Sequence, residues 1–160
     1  MPKLINDENN IILEINLVKG ELFDVEIDRD DFENWIPFVF NFIIEGKEFY
    51  SYEEESGSTF SFYEIKRMIT GFESIIKDKC NRIELKRFDW GQIENYFSIS
   101  LYETYEENLI GFELWIYVAP LTNGKSHGYD RGFDFLVTID SLKAFIEEIK
   151  EQLSTLVELP

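Results

Sequence analysis

Cysteine and histidine occur once each in this chain of 160 residues, proline four times, and 15 basic side chains stand against 32 acidic ones. Each scarcity excludes something. Cys80 has no partner for an internal disulfide, as expected of a protein kept in a reducing compartment. His127 sits among Gly124, Lys125, Ser126 and Gly128, far from the three or four His or Cys ligands that a zinc ion wants. There is no nucleophile elbow, phosphate-binding loop, dinucleotide fingerprint or EF-hand pattern. Cys80 also falls at the end of an expected helix, where the helix dipole disfavours a thiolate. Paired carboxylates such as Glu106-Glu107 and Glu147-Glu148 abound, but adjacent exposed acids share one environment and cannot split their roles into acid and base. No catalytic residue, metal or cofactor is expected.

The shortage of positive charge leaves a formal net charge of −17, which repels phosphate backbones and anionic lipid and attracts a basic protein. Nucleic acid and membranes are therefore poor partners. No apolar run approaches the ~20 residues needed to cross a bilayer. The N-terminal residues lack the apolar core of a signal peptide, so a cytoplasmic location is expected.

Aromatic residues are plentiful, at 16% with 15 Phe, enough to fill the core of one domain spanning residues 1–160. Period-two alternation marks strands over Ile11–Val18, Leu22–Ile27, Phe38–Ile44, Lys47–Glu54, Ile83–Arg87, Tyr96–Glu103, Leu109–Ala119 and Arg131–Ile139. Glu45-Gly46 reads as a hairpin turn, Asp28–Glu33 as an acidic loop, Asp89-Trp90-Gly91 as an irregular corner and Leu121–Gly132 as a glycine-rich loop. Two helices are expected, over 61–79 and 141–153. The first opens on a capping box, Ser61 with Glu64, and a staple, Phe60 with Ile65. Asn81 is placed to end it in a left-handed conformation, and Asp140 to cap the second helix. Two helices in an otherwise all-strand order predict an α+β fold: a mostly antiparallel, twisted β-sheet with both helices packed on one face.

Sorting strand residues by parity puts Phe23, Phe38, Phe40, Phe42, Phe49, Phe97, Phe112, Phe133 and Phe135 on the core face. The opposite parity carries Tyr50, Tyr52, Tyr96, Tyr102, Trp115 and Tyr117 in the company of Glu14, Asn16, Ser98, Ser100, Glu113 and Asp134. Tyrosine and tryptophan give large contact area at low entropy cost, so Tyr50, Tyr52, Tyr96, Tyr102, Glu113, Trp115, Tyr117 and Asp134 form a candidate partner-binding face. Two other readings compete: an ordinary solvated sheet face, and a small-molecule or peptide-binding module built on Tyr50, Tyr96, Tyr102 and Trp115.

From about Asp31 to Leu153 the chain resembles the WapI family of bacterial immunity proteins. The matching features are the acidic lead-in at Asp31 to Trp35, the paired strands from Phe38 to Tyr52, and the capped helix from Ser61. The stretch Phe-Asp-Phe-Leu-Val-Thr-Ile-Asp-Ser-Leu-Lys-Ala-Phe-Ile, with Asp140 and Leu142 at the strand-to-helix junction, carries the rest of it. The resemblance implies a non-enzymatic protein that binds and neutralises a cognate toxin domain. It supplies no binding residue to carry over.

Overall fold

The strands divide between two antiparallel sheets, where parity alone had drawn one. In the computed structural model, which describes residues 1–45, 47–92, 96–118 and 129–157, β1 (Lys3–Ile5), β2 (Ile11–Leu17), β3 (Trp35–Ile44) and β4 (Glu48–Tyr52) lie side by side in that order. A short β5 (Thr59–Ser61) pairs with the first residues of β3. The chain then runs through α1 (Phe62–Cys80) to the second sheet. That sheet comprises β6 (Phe88–Gly91), β7 (Phe97–Glu103), β8 (Leu109–Tyr117) and β9 (Asp130–Thr138), again in chain order. The last helix, α2 (Ile139–Val157), follows directly from β9. The α+β class stands, with every strand pairing antiparallel.

One buried cluster joins both sheets and both helices. Phe40 meets Phe97 across the sheets at 4.7 Å between ring centroids, and Phe42 meets Phe133 at 4.8 Å. The helices pack on each other and turn their stripes into this cluster: Ile65, Met68, Ile69 and Phe72 from α1, Leu142, Phe145, Ile146 and Ile149 from α2. Hydrogen bonds hold α2 onto the first sheet. Gln152 Oε1 accepts from the Leu17 amide at 2.8 Å, and Ser141 Oγ donates to the Ile5 carbonyl at 2.9 Å.

The start of α1 forms as its residues dictate. Ser61 Oγ accepts from the Glu64 amide at 3.2 Å, and Glu64 Oε1 accepts from the Ser61 amide at 2.8 Å. Phe60 and Ile65, flanking that box, are both buried. The other helix boundaries differ from expectation. Asn81 caps α1 at φ −89°, and Arg82, at φ 58°, is the left-handed residue. Thr138, not Asp140, caps α2, its Oγ1 accepting from the Ser141 amide at 3.1 Å, and the helix runs on to Val157.

Four sequence expectations give way to partnering. Leu22–Ile27 alternates like a strand, yet among the described residues its ladder pairing is a single bridge between Asp24 and Trp35, and Ile27 is 92% exposed. Over Ile83–Arg87, the Leu85 amide is taken by the Glu103 carboxylate instead of a strand, and pairing starts only at Phe88. Asp89-Trp90-Gly91 is therefore ladder rather than corner. In the first hairpin, Tyr50 lies opposite Phe42 and Tyr52 opposite Phe40. Directly opposed residues share a face, so both tyrosines turn inward and Phe49 turns out, 63% exposed. Gly46 of the hairpin turn and residues 121–128 of the glycine-rich loop, His127 among them, lie outside the described residues.

Candidate protein-binding face

Tyr52 and Trp115 were grouped by parity, but the fold separates them. Tyr52 is fully buried. Its hydroxyl lies 2.6 Å from the Tyr117 carbonyl and 2.9 Å from the Tyr96 carbonyl, so its one proton ties β4 to the second sheet. Burial, with Tyr96 and Asp130 adding to it, pushes its phenol well above the ordinary value. Tyr96 is half-buried and packs edge-on to Tyr52 and Phe38, while Tyr50 is half-buried against Phe133. These three tyrosines serve the core.

The remaining predicted residues meet on the outer face of the second sheet. The registers set Tyr102 opposite Gly111, Glu113 opposite Asp134, Trp115 opposite Gly132 and Tyr117 opposite Asp130. On the β6 side, Asp89 pairs with Ser100 and Ser100 with Glu113. Side chains two apart along a strand share a face, so this register gathers all of them on the side away from Phe97, Ile99, Phe112 and Leu114.

Two glycines shape the surface. A Cβ on Gly111 would fall 2.2 Å from the Tyr102 ring, and one on Gly132 would fall 2.7 Å from the Trp115 ring. The aromatic rings therefore lie flat across neighbouring strands where any other residue would lift them. Hydrogen bonds fix their polar ends. Trp115 Nε1 donates to Glu113 Oε1 at 2.7 Å, and the Tyr102 hydroxyl donates to Asp134 Oδ1. Arg87 binds Glu113 Oε2 at 3.2 Å and Asp89 Oδ1 at 3.0 Å, and Ser100 Oγ adds a donor to that same Asp89 oxygen at 2.6 Å.

The electrostatics follow from these contacts. The Ser100 hydroxyl, and after it the Arg87 guanidinium, holds the Asp89 carboxyl below the usual range, against a smaller opposing effect of burial. The Trp115 N–H, then Arg87, does the same for Glu113. Burial, the hydrogen bond to Asp134 and the charges of Asp134 and Glu113 push the Tyr102 phenol to about 12. At neutral pH Asp89 and Glu113 are charged and the Tyr102 phenol is neutral. Trp115 is 43% exposed and Asp134 is exposed, so a rigid aromatic and acidic surface faces outward. Arg87, Gly111 and Gly132 were missed in the sequence. A glycine inside an alternating strand was the available signal for two of them, since it marks a close approach.

Among the described residues no group of three or more His, Cys, Asp or Glu side chains is placed to hold a metal ion. No described helix is long and apolar enough to cross a membrane.

The model of the WapI-like immunity protein family matches residues 3–156, nearly the whole chain. The protein belongs to that family. The match extends the resemblance seen in the sequence to β1 at one end and the last turn of α2 at the other. No curated protein sequence matches this family member. Among solved structures, the plant transcriptional regulator PBF-2 is similar over 93% of this chain and 78% of its own, at 10% identity and a TM-score of 0.48. WHY3 from Arabidopsis thaliana is similar over 92% and 83%, at 10% identity and a TM-score of 0.43.

Proposed function

We propose that this WapI-like protein binds and neutralises a cognate bacterial toxin domain in the cytoplasm of the cell that carries it, without catalysing a reaction. Its contact surface is the outer face of the second sheet, with Trp115 and Tyr102 as aromatic anchors and Glu113, Asp134 and Asp89 as the acidic frame. The observation that carries this reading is the fixing of that face: both rings lie over glycines and their polar ends are hydrogen-bonded to carboxylates. Side chains already held in place lose little entropy on binding, and exposed Tyr and Trp are the residues that anchor protein interfaces.

Charge points to the kind of partner. Toxin domains that act on nucleic acid must be basic to hold it, and a chain of net charge −17 attracts them at long range. The exposure of Trp115 and Asp134 suits an extended protein surface better than the enclosed site a small molecule needs. The test is co-purification of the chain with the toxin-like product of an adjacent gene, followed by a kinetic binding assay. Capture of that product by wild type, and faster release by Trp115→Ala, supports the reading. Wild-type kinetics in both Trp115→Ala and Tyr102→Phe would place the interface elsewhere.

A further inference from the structure

A groove of about 600 Å³ runs between α1 and the segment 86–88 and meets the aromatic face at Arg87. Its charge is the reverse of the molecule's. Four of the chain's 15 basic side chains line it, Lys66, Arg67, Lys86 and Arg87, against one carboxylate among the described lining residues, Asp78. Arg87 is paired with Asp89 and Glu113 and Lys66 with Asp31, so Arg67 and Lys86 are the cations with most capacity left for an anion.

The cations are set in place by their neighbours. Lys66 pairs with Asp31 at 3.2 Å and lies 4.3 Å over the Phe62 ring. Arg67 donates to the Asp89 carbonyl at 2.8 Å and lies over Phe88, leaving most of its five N–H donors uncommitted to protein. Lys86 is exposed, with no ion pair among the described residues. Thr70 and Ser74, one turn apart on α1, add hydroxyls to the lining. An aromatic wall completes it. Gly71 lets the Phe88 ring lie against the helix, where a Cβ would fall 2.1 Å from the ring.

We propose that this groove binds a small phosphate monoester carried on a flat aromatic body. A monoester holds close to two negative charges at neutral pH, about −1.5 to −2, and three strong acceptor oxygens. Lysine and arginine together with hydroxyl donors meet that chemistry from several directions, and arginine can do so with two parallel N–H groups. The volume falls within the range of small-ligand sites, roughly 300–1,000 Å³. The groove does not depend on the toxin-binding reading; Arg87 belongs to both sites, and the anchors Trp115 and Tyr102 do not line the groove.

The experiment is an amide-detected NMR titration of the full chain with phenyl phosphate, inorganic phosphate and benzoate in turn. Phenyl phosphate is expected to move the amides of residues 63–78 and 86–88, more strongly than inorganic phosphate, with affinity falling as salt is added. Lys86→Glu, at an exposed and unpaired position, is expected to weaken it at least tenfold with thermal unfolding unchanged. Thr70→Val serves as a second, charge-neutral variant and is expected to weaken binding severalfold. Absence of shifts, shifts centred elsewhere, or unchanged affinity in both variants would overturn the proposal. A larger response to benzoate than to phenyl phosphate would overturn the phosphate assignment. Toxin capture is a separate readout, so its failure leaves these outcomes intact.

Discussion

The Trp115 ring lies across Gly132 of the neighbouring strand, where an added Cβ would come within 2.7 Å of it. A methyl there has to lift the indole off the sheet, which breaks its alignment with Glu113 before it disturbs any core residue. Gly132→Ala is therefore expected to leave the unfolding midpoint within ~0.5 kcal/mol of wild type, as for a surface change, while speeding dissociation of the toxin complex. Trp115→Ala should speed it further, costing on the order of 2 kcal/mol or more in affinity if the ring is an anchor. Surface-plasmon kinetics with the purified toxin domain separate the two rates. A Gly132→Ala protein that binds as wild type would mean that the orientation of Trp115 is irrelevant to the interface.

Phe135 lies on the other side of the same strand, stacked on Phe112 at 5.0 Å between centroids and 8% exposed. Truncating it to alanine removes a ring from a close-packed cluster and leaves a cavity, so Phe135→Ala is expected to cost roughly 3–5 kcal/mol. Glu148 stands on the exposed face of α2, and Glu148→Ala should stay within about 0.5 kcal/mol. Urea titrations of the two variants read the difference, and similar midpoints would contradict the assignment of faces.

What the sequence made legible was whatever depends on near neighbours. The box of Ser61 and Glu64 and the staple of Phe60 and Ile65 are local chemistry, and they form as written. The alternation of Phe38, Phe40 and Phe42 likewise found its core. Pairing across the chain was not legible. Strand parity assigned the tyrosines outward, yet the hairpin register carried Tyr52 inward, where two carbonyls take the place of water at its hydroxyl. Leu22–Ile27 had the pattern of a strand but pairs, among the described residues, through one bridge from Asp24 to Trp35. The candidate site was half legible for the same reason. Tyr102, Glu113, Trp115 and Asp134 are brought together by the ladder, while Arg87 ends a segment whose alternation read as a strand although pairing starts only at Phe88.

Glu103 gives a pH dependence with a definite sign. Burial pushes its carboxyl up, but Lys79 and the amides of Tyr105, Leu85 and Thr104 outweigh that and hold it at about 2. The Lys79 ammonium is 2.5 Å away and only 6% exposed, so the pair clamps the end of α1 to the β7–β8 hairpin. A carboxyl depressed on folding contributes stability above its unfolded value, about 4.3, and loses it as pH falls toward the folded value. Glu103→Gln is therefore expected to cost a constant few kcal/mol between pH 6 and 8, roughly 3–5 with Lys79 left buried and unpaired. The gap to wild type should narrow steadily below about pH 4.5. Urea midpoints across that range check it, and a gap that widened on acidification would contradict the role given to the ionised pair.

The last prediction separates long-range attraction from contact. If the partner is basic, the acidic field sets how often the two proteins meet, and the buried aromatics set how long they stay. Asp134→Lys and Glu113→Lys should both slow association, and added salt should slow the wild type in the same direction, because charges farther apart than about 10 Å are largely screened at 0.1 M. Glu113 also holds the Trp115 N–H and Arg87, and Asp134 holds the Tyr102 hydroxyl, so both variants should in addition release faster. Glu148→Lys makes the same change of net charge on the exposed face of α2 and serves as the control. If the outer face of the second sheet is the interface, that control should slow association much less than Asp134→Lys does. Equal slowing by the two would reduce the effect to net charge alone and leave the second sheet without a special part in it.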